Sequence, residues 1–599
     1  MANFVVIVDP DLERRSHFIK SIELLLPPVE GLVTHSCSVG NFHAIWAANP
    51  KAPISYIAET KGAAVIWGEA IAQDSSSRID ASTIRHLWKY SSHESCFDGF
   101  YAAVAYDPHG RLYVGADLLG LFPIYYYTYR DVAIIGSSPE LFRYHPLFKA
   151  TFNPAGLVGI LLTNGIINGQ TLWQDVKRLG AGNLLIWQPD TLPKEVKQYQ
   201  IGSNSSSEAY AKLSFDQHLD ILEQVIEKAC DRQSPKDTQY SLLLSGGLDS
   251  RMLAGFIHRK GIHPVAITLG TSTDLDMQCA ISVARTLQLK HHSVSIPFEK
   301  YPAYADLLVK WEHLTNGFNC IMDWGIQSYL SNGEASKTIA GYLMDRVIGG
   351  KWTYSLSANS LSFEAFFPQI NAWGFPPDLL AKLLRQEVFG DLVQDTLAQI
   401  QTTYNQYCEI DSIRAWCFEL DHRQRFHVGC AAWQLCFGAW PILPILDRQL
   451  IETATAFPLE TIAKRRAQEQ LLQTRFPQLA QLPIARNDFY VEPLQPTKLR
   501  QRLTPLFGVQ RKWRRWRNKQ GYEQRYYYRS YDLNQAGWLA VRRQAEPYRD
   551  RVGHLFHPEV FNQIVPSPDV LVQGQVEPIS ESSGIKTLLG LLLWSKNHL

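Results

Sequence analysis

The densest chemistry in this 599-residue chain lies in six consecutive residues, Ser245-Gly246-Gly247-Leu248-Asp249-Ser250. Two adjacent glycines let the backbone curl tightly and leave its N–H groups uncovered. Ser245 and Ser250 add hydroxyl donors, and Asp249 adds a carboxylate able to hold Mg2+ against a pyrophosphate. Upstream, Tyr240–Leu244 is an apolar run of buried-strand type, and Arg251–Arg259 reads as helix. A helix N-terminus contributes further unpaired N–H donors and partial positive charge. The hexapeptide is therefore an anion cradle with a metal ligand, weighed against an ordinary Gly-rich turn. It matches neither Gly-x-x-x-x-Gly-Lys-Ser/Thr nor Gly-x-Gly-x-x-Gly, so no kinase-like or dinucleotide site is read.

A second acid, Asp345, follows the strand-like Lys337–Ala340 and precedes the pair Gly349-Gly350. It could supply a second carboxylate to the same Mg2+, screening the charge of a departing pyrophosphate. Its structural alternative is a helix N-cap.

Strands and helices alternate around these acids. A helix is expected at Phe215–Ala229, strands at Val265–Leu269 and His292–Ile296, and a helix near Met277–Leu287. That order implies a doubly wound parallel sheet. From about residue 355 the pattern is mostly helical. The first ~190 residues instead read as β-rich. Short strand-like runs fall at Phe4–Val8, Ala63–Ile66, Tyr101–Tyr106, Leu112–Gly115, Ile124–Tyr127, Val132–Ile135 and Leu184–Trp187. The polar stretch Ile201–Glu208 has linker composition. It divides the chain into domains 1–200 and 201–599, an α/β protein in two parts.

The net charge of +1 names no polyanionic partner. Nine scattered cysteines contain no Cys-x-x-Cys pair, which argues against a zinc site or a disulfide framework and fits a reducing cytoplasm. The N-terminus lacks a basic n-region and reads as a strand, not a signal peptide. No apolar run approaches the ~20 residues needed to span a bilayer.

The hexapeptide in its strand–loop–helix setting resembles the PP-loop ATP pyrophosphatases, and within them the asparagine synthetase family. Further segments are similar in the same order: Phe97–Ala102, Ala116–Tyr126, Ser137–Glu140, Gly341–Gly350 and Pro444–Asp447. The resemblance implies an N-terminal glutaminase-like sandwich of the N-terminal-nucleophile type, joined to a synthetase that uses ATP and Mg2+ to adenylate a carboxylate. It places nucleotide binding on Ser245, Gly246, Gly247, Leu248, Asp249 and Ser250, with Leu269, Asp276 and Gly341, and the metal on Asp249 and Asp345.

Departures from the family pattern refine this expectation. Glutamine-dependent members carry a nucleophilic Cys as residue 2, where this chain has Ala2. The family's Asn-Gly-Glu stands here as Trp67-Gly68-Glu69, and an indole cannot replace the amide that holds an oxyanion. An inactive glutaminase domain is therefore expected, as in β-lactam synthetases and lasso peptide macrolactam synthetases. Tyr342 stands three residues before Asp345, as in β-lactam synthetase-like members. It could relay a proton from an attacking amine with Glu419 or Asp421 as partner, or merely pack. A lysine is expected to neutralise the adenylate. The aligned position is Glu469, so Lys464 is taken for this role, with Arg465 and Arg466 nearby. Arg423 and Arg425 could bind phosphate or a substrate carboxylate, or form salt bridges.

A cationic aromatic segment covers Arg511–Arg529. It reads as a solvated helix with buried tryptophans, as a groove for an acidic peptide, or, ranked last, as a nucleic-acid patch. The leading reading is ring closure in a precursor peptide, its carboxyl side chain adenylated and its own N-terminal amine attacking, with a leader-binding or protease partner alongside. The rivals are ammonia-dependent amidation of a small molecule and a non-catalytic nucleotide- or peptide-binding scaffold.

Overall fold

The computed structural model describes residues 2–599 apart from 74, 91–95, 203–207, 237, 350–361, 486–490, 497–508, 510–525, 574 and 576–578. Most of the cationic segment at 511–529 lies outside the described residues. Of it, Tyr526–Arg529 belong to a short helix, Tyr526–Tyr531.

Two antiparallel sheets, each six-stranded, build the first part of the chain. Their strands are β1 Ala2–Val8, β2 Val33–Val39, β3 Phe42–Ala48, β4 Ile54–Glu59, β5 Gly62–Gly68, β6 Tyr101–Tyr106, β7 Leu112–Ala116, β8 Tyr125–Tyr129, β9 Val132–Gly136, β10 Lys177–Arg178, β11 Asn183–Trp187 and β12 Lys194–Lys197. One sheet runs β10-β8-β9-β1-β3-β2 and the other β12-β11-β7-β6-β5-β4. They face each other, since Phe4 of β1 stacks on Trp67 of β5 with ring centroids 3.8 Å apart. Residues Phe4 to Val8 are all buried, so β1 is covered on both faces.

The later part holds a parallel sheet of five strands: β13 Tyr240–Leu243, β14 Val265–Leu269, β15 His291–Val294, β16 Lys337–Ile339 and β17 Trp440–Ile442. Their order is β15-β14-β13-β16-β17. The chain moves outward from β13 through β14 to β15, then returns to the other side of β13. The gap between β13 and β16 is thus the point where strand order reverses. Ligands of open α/β sheets bind in the crevice outside the carboxyl ends of the strands at such a point. The segments that follow β13 and β16 carry Asp249 and Asp345, each in the first turn of a helix.

The helices that matter to the site are α1 Phe215–Gln233, α2 Leu248–Arg259, α3 Leu275–Thr286, α4 Asp411–Glu419, α5 Arg425–Leu435, α6 Arg466–Arg475 and α7 Ser583–His598. Helix α1 starts on a complete capping box, with the Ser214 side chain accepting from Gln217 N–H and Gln217 bonding back to Ser214. Between α4 and α5, Leu420–Gln424 winds as a π-helix.

The two parts share buried ionic contacts. Arg232, at the end of α1, lies 2.7 Å from Asp98 and also bonds Asp447. Lys337, the first residue of β16, lies 2.5 Å from Glu69. Trp440 of β17 presses on Gly68, where an added Cβ would lie 2.4 Å from the indole.

None of the nine cysteines, all among the described residues, is in a disulfide. No described helix is long and apolar enough to cross a membrane.

Candidate nucleotide and carboxylate site

The Ser245–Ser250 loop leaves the central strand and enters α2, with Gly247 as the N-cap. Its polar groups organise one another. The Ser250 hydroxyl accepts from Ser245 N–H at 3.0 Å and lies 3.0 Å from the Ser245 hydroxyl. The Ser245 hydroxyl in turn accepts from Gly247 N–H at 3.2 Å. Gly246 has no room for a side chain. A Cβ there would lie 2.8 Å from the Cβ of Ala485, 2.9 Å from the Cα of Asp276 and 3.0 Å from the Cβ of Cys279. The Gly246 carbonyl accepts from Ala485 N–H at 3.0 Å. Asp276, in the first turn of α3, therefore backs the loop. Gly341 does the same from the β16 side, since its Cβ would lie 3.3 Å from the Asp249 carbonyl carbon and the Ser250 nitrogen. Leu269 is the last residue of β14, and Leu248 is buried at the start of α2.

Asp249 and Asp345 converge on one guanidinium. Arg465 lies 3.3 Å from Asp249 and 3.5 Å from Asp345. Gln468, on α6, donates to the other Asp249 oxygen at 2.6 Å. Asp345 also lies 3.2 Å from Arg346. Burial raises Asp249 above the usual carboxylate range, opposed by Arg465 and Gln468 and reinforced by Asp345. Two acidic groups sharing a single positive centre beside a run of N–H and O–H donors is a donor set that suits a divalent cation and a polyphosphate together.

The segment carrying Arg465 is held in an uncommon conformation. Lys464 and Arg465 have φ of 54° and 64°, in the left-handed region that disfavours side chains with a Cβ. Arg465 N–H donates to the Gly349 carbonyl at 3.0 Å, which ties this turn to the Gly349-Gly350 pair. The twist turns Arg465 inward. Lys464, expected at the adenylate, is instead exposed, so the cation that reaches the carboxylates is its neighbour. Nothing in the sequence of a helical Gln marks Gln468 as a carboxylate partner.

Other expected side chains have different neighbours. Asp421 accepts from the Tyr407 hydroxyl at 2.9 Å, so its phenol partner is Tyr407 and not Tyr342. Tyr342 packs at the rim of a small apolar cluster with Leu243 and Leu269. Glu419 accepts from Arg423 at 3.1 Å and Gln424 at 2.7 Å, and lies 4.0 Å from Arg346. A relay Asp345–Arg346–Glu419–Arg423 thus leads away from the loop. Arg423 stacks 3.7 Å above the Trp373 ring, while Arg425 turns to backbone carbonyls.

One cluster of three potential metal ligands occurs among the described residues: Glu140, His313 and His598. Its hydrogen bonds leave no ligand nitrogen free. Trp594 N–H donates to His313 Nδ1 at 3.1 Å, and Arg143 donates to His598 Nδ1 at 3.2 Å. Both donors lack any acceptor capacity, so both histidines carry their proton on Nε2 and point it at Glu140. The cluster fastens α7 to the sandwich and is not a metal centre.

Residues 222–416 match the family described as Asparagine synthase. The glutamine-hydrolyzing asparagine synthetase 3 of Bacillus subtilis (strain 168) is 27% identical over 181 residues, 29% of this chain and 28% of that protein. The chain thus spans little more than a quarter of the length of this curated relative. Among solved structures, glutamine phosphoribosylpyrophosphate amidotransferase from B. subtilis covers 49% of this chain and 65% of its own, at 11% identity and a TM-score of 0.21. NMN synthetase from Francisella tularensis covers 36% and 97%, at 17% identity and a TM-score of 0.19. Scores this low do not bear on the fold of the whole chain. The match to the asparagine synthase family covers residues 222–416, about a third of the chain, and the Ser245–Ser250 loop and Asp345 both lie inside it.

Proposed function

We propose that this chain is an ATP-dependent amide ligase that activates a carboxylate as an acyl-adenylate and passes the acyl group to an amine. The observation that carries this is the convergence of Asp249 and Asp345 on Arg465 beside the Ser245–Ser250 donors. The substrate carboxylate displaces pyrophosphate from the α-phosphorus of ATP. The amine then attacks the acyl carbon, AMP leaves, and the amine gives up one proton. Ser245, Gly247 and the first turn of α2 bind the departing pyrophosphate. Asp249 and Asp345 would hold Mg2+, which supplies charge neutralisation for the phosphates when bound. Arg465 neutralises the same region from the protein side, and Tyr342 is the group proposed to relay the proton, accepting it as its own phenolic proton passes to solvent.

The amine is proposed to belong to the substrate, giving a macrolactam in a lasso-type peptide. Support comes from the first part of the chain, residues 1–200 in our proposed division. There Trp67, fully buried against Phe4 and Trp46, fills the space between the sheets where a glutaminase would need a polar cleft. This part acts as an inactive glutaminase-like wall to the ligase formed by residues 201–599. A precursor peptide as substrate, a leader-binding or protease partner and a cytoplasmic location complete the proposal.

The test is pyrophosphate release by the purified chain. Release that requires a peptide with an Asp or Glu side chain and a free N-terminus supports ring closure. Release with aspartate and ammonia replaces it with simple amidation. Nucleotide binding with no release from any acid would reduce the chain to a scaffold.

A further inference from the structure

A cavity of about 330 Å³ lies between β10–β12 of the sandwich and the π-helical segment of the later part. Two of its arginines are almost fully buried, Arg178 at 4% and Arg425 at 5% exposure. Both aim at one carbonyl: Arg425 donates to Gly120 O at 2.9 Å and Arg178 to the same oxygen at 3.3 Å. Gly120 has a φ of 58°, in the left-handed region that favours glycine, and a Cβ there would lie 2.9 Å from the Arg425 guanidinium.

Neither arginine forms an ion pair among the described residues. Arg425 bonds only to carbonyls, those of Gly120 and Leu179. Arg178 Nε is buried without any acceptor. Two carboxylates in the neighbourhood are committed elsewhere. Asp117 accepts from the N–H groups of Leu119, Leu121 and Phe122. Glu195 accepts from Tyr126, Gly180 and Asn183. Two like charges held side by side away from water are costly unless an anion joins them. Burial, and after it repulsion from Arg178, pushes Arg425 down to about 10, opposed by Asp421, Asp117 and Glu195. The same cavity is lined by Asp421, which uses one oxygen for Tyr407 and has no donor on the other among the described residues, and by Lys197, whose charge favours the Asp421 carboxylate while its ammonium donates to the Ala181 carbonyl at 2.9 Å. The wall therefore offers cations for an anion and a carboxylate for a cation.

We propose that this cavity binds a small α-amino acid, its carboxylate received by Arg178 and Arg425 and its ammonium by Asp421. A planar guanidinium pair suits a carboxylate, and the cavity is of the size that holds such a ligand. The proposal does not rest on the reading of the Ser245–Ser250 loop.

Calorimetric titration of the intact chain without ATP tests it, using the standard amino acids, acetate and inorganic phosphate as probes. At least one amino acid is expected to bind saturably, and Asp249→Ala is expected to leave that binding in place. Asp421→Asn, which keeps the Tyr407 contact, should weaken it about tenfold or more with an unchanged melting temperature. Arg178→Gln should abolish it. The proposal is overturned if no amino acid binds at millimolar concentration, or if acetate or phosphate binds as tightly as the amino acid. Binding that survives Asp421→Asn unchanged overturns it too, and binding lost in Asp249→Ala would place the amino acid at the loop instead.

Discussion

The Trp67 indole lies flat on the Phe4 ring, their centroids 3.8 Å apart and their planes 5° from parallel. A second indole, Trp46, meets Trp67 edge-on at 6.0 Å. This aromatic stack fills the interior between the two antiparallel sheets. Trp67→Ala should therefore cost about 3–5 kcal/mol, read from denaturant unfolding. The intact protein is expected to release no glutamate from glutamine. Measurable release would remove the main support for a substrate-borne amine.

Asp249 and Arg465 make the second prediction. Asp249→Ala should lower pyrophosphate release about 100-fold or more, with circular dichroism and melting unchanged, because the residue lies at a partly open site and not in the core. Arg465→Met should lower turnover as well, while Lys464→Met should have little effect. A Lys464 variant as damaged as the Arg465 variant would mean that the bridge seen here is not the working arrangement.

Gly246 gives a purely steric test. Its Cβ would meet the backbone of α3 at Asp276 and the Cβ of Ala485. Gly246→Ala should displace the loop and weaken ATP binding, measured by equilibrium titration, while Gly261→Ala should leave it unchanged. Gly261 has open space around the Cβ position, although its φ of 79° makes the replacement mildly strained.

Glu312 predicts a pH dependence. Burial raises its pKa to about 7, with Gln434 and Asn316 as its bonded amides. A carboxyl raised on folding stabilises the native state below its unfolded pKa, about 4.3, and that contribution is lost as pH rises through about 7. Glu312→Gln should therefore be the more stable form near pH ~8, by on the order of 3–4 kcal/mol, with the gap closing toward pH ~4. The buried oxygens of Gln434 and Asn316, which lack donors, can accept from the new amide. Urea unfolding of both proteins at two pH values checks the sign, and a variant less stable at high pH would refute it.

Much of this fold was legible because its strands are apolar and its turns polar. Tyr101–Tyr106 and Val265–Leu269 have the bounds expected from sequence. The strands that escaped notice are those without that signal. Val33–Val39 and Ile54–Glu59 are sheet edges, rich in polar or exposed residues. Phe42–Ala48 is buried on nearly all sides, so it lacks alternation. Trp440–Ile442 contains Pro441, which is tolerated because β17 is an edge strand. At the site, the loop and Asp345 were readable because glycines and acids after strands are informative types. The contribution of Arg465 over Lys464 was not, since it depends on two consecutive left-handed residues that composition does not reveal.

Arg232 joins Asp98 of the sandwich to Asp447 of the later part, deep in the interior. The chain is accordingly a poor subject for modular engineering. A catalytic half excised or transplanted without its partner would carry a stranded guanidinium and an uncovered Trp440, and would be recovered as aggregate. Any chimera must exchange Asp98, Arg232 and Asp447 as a set.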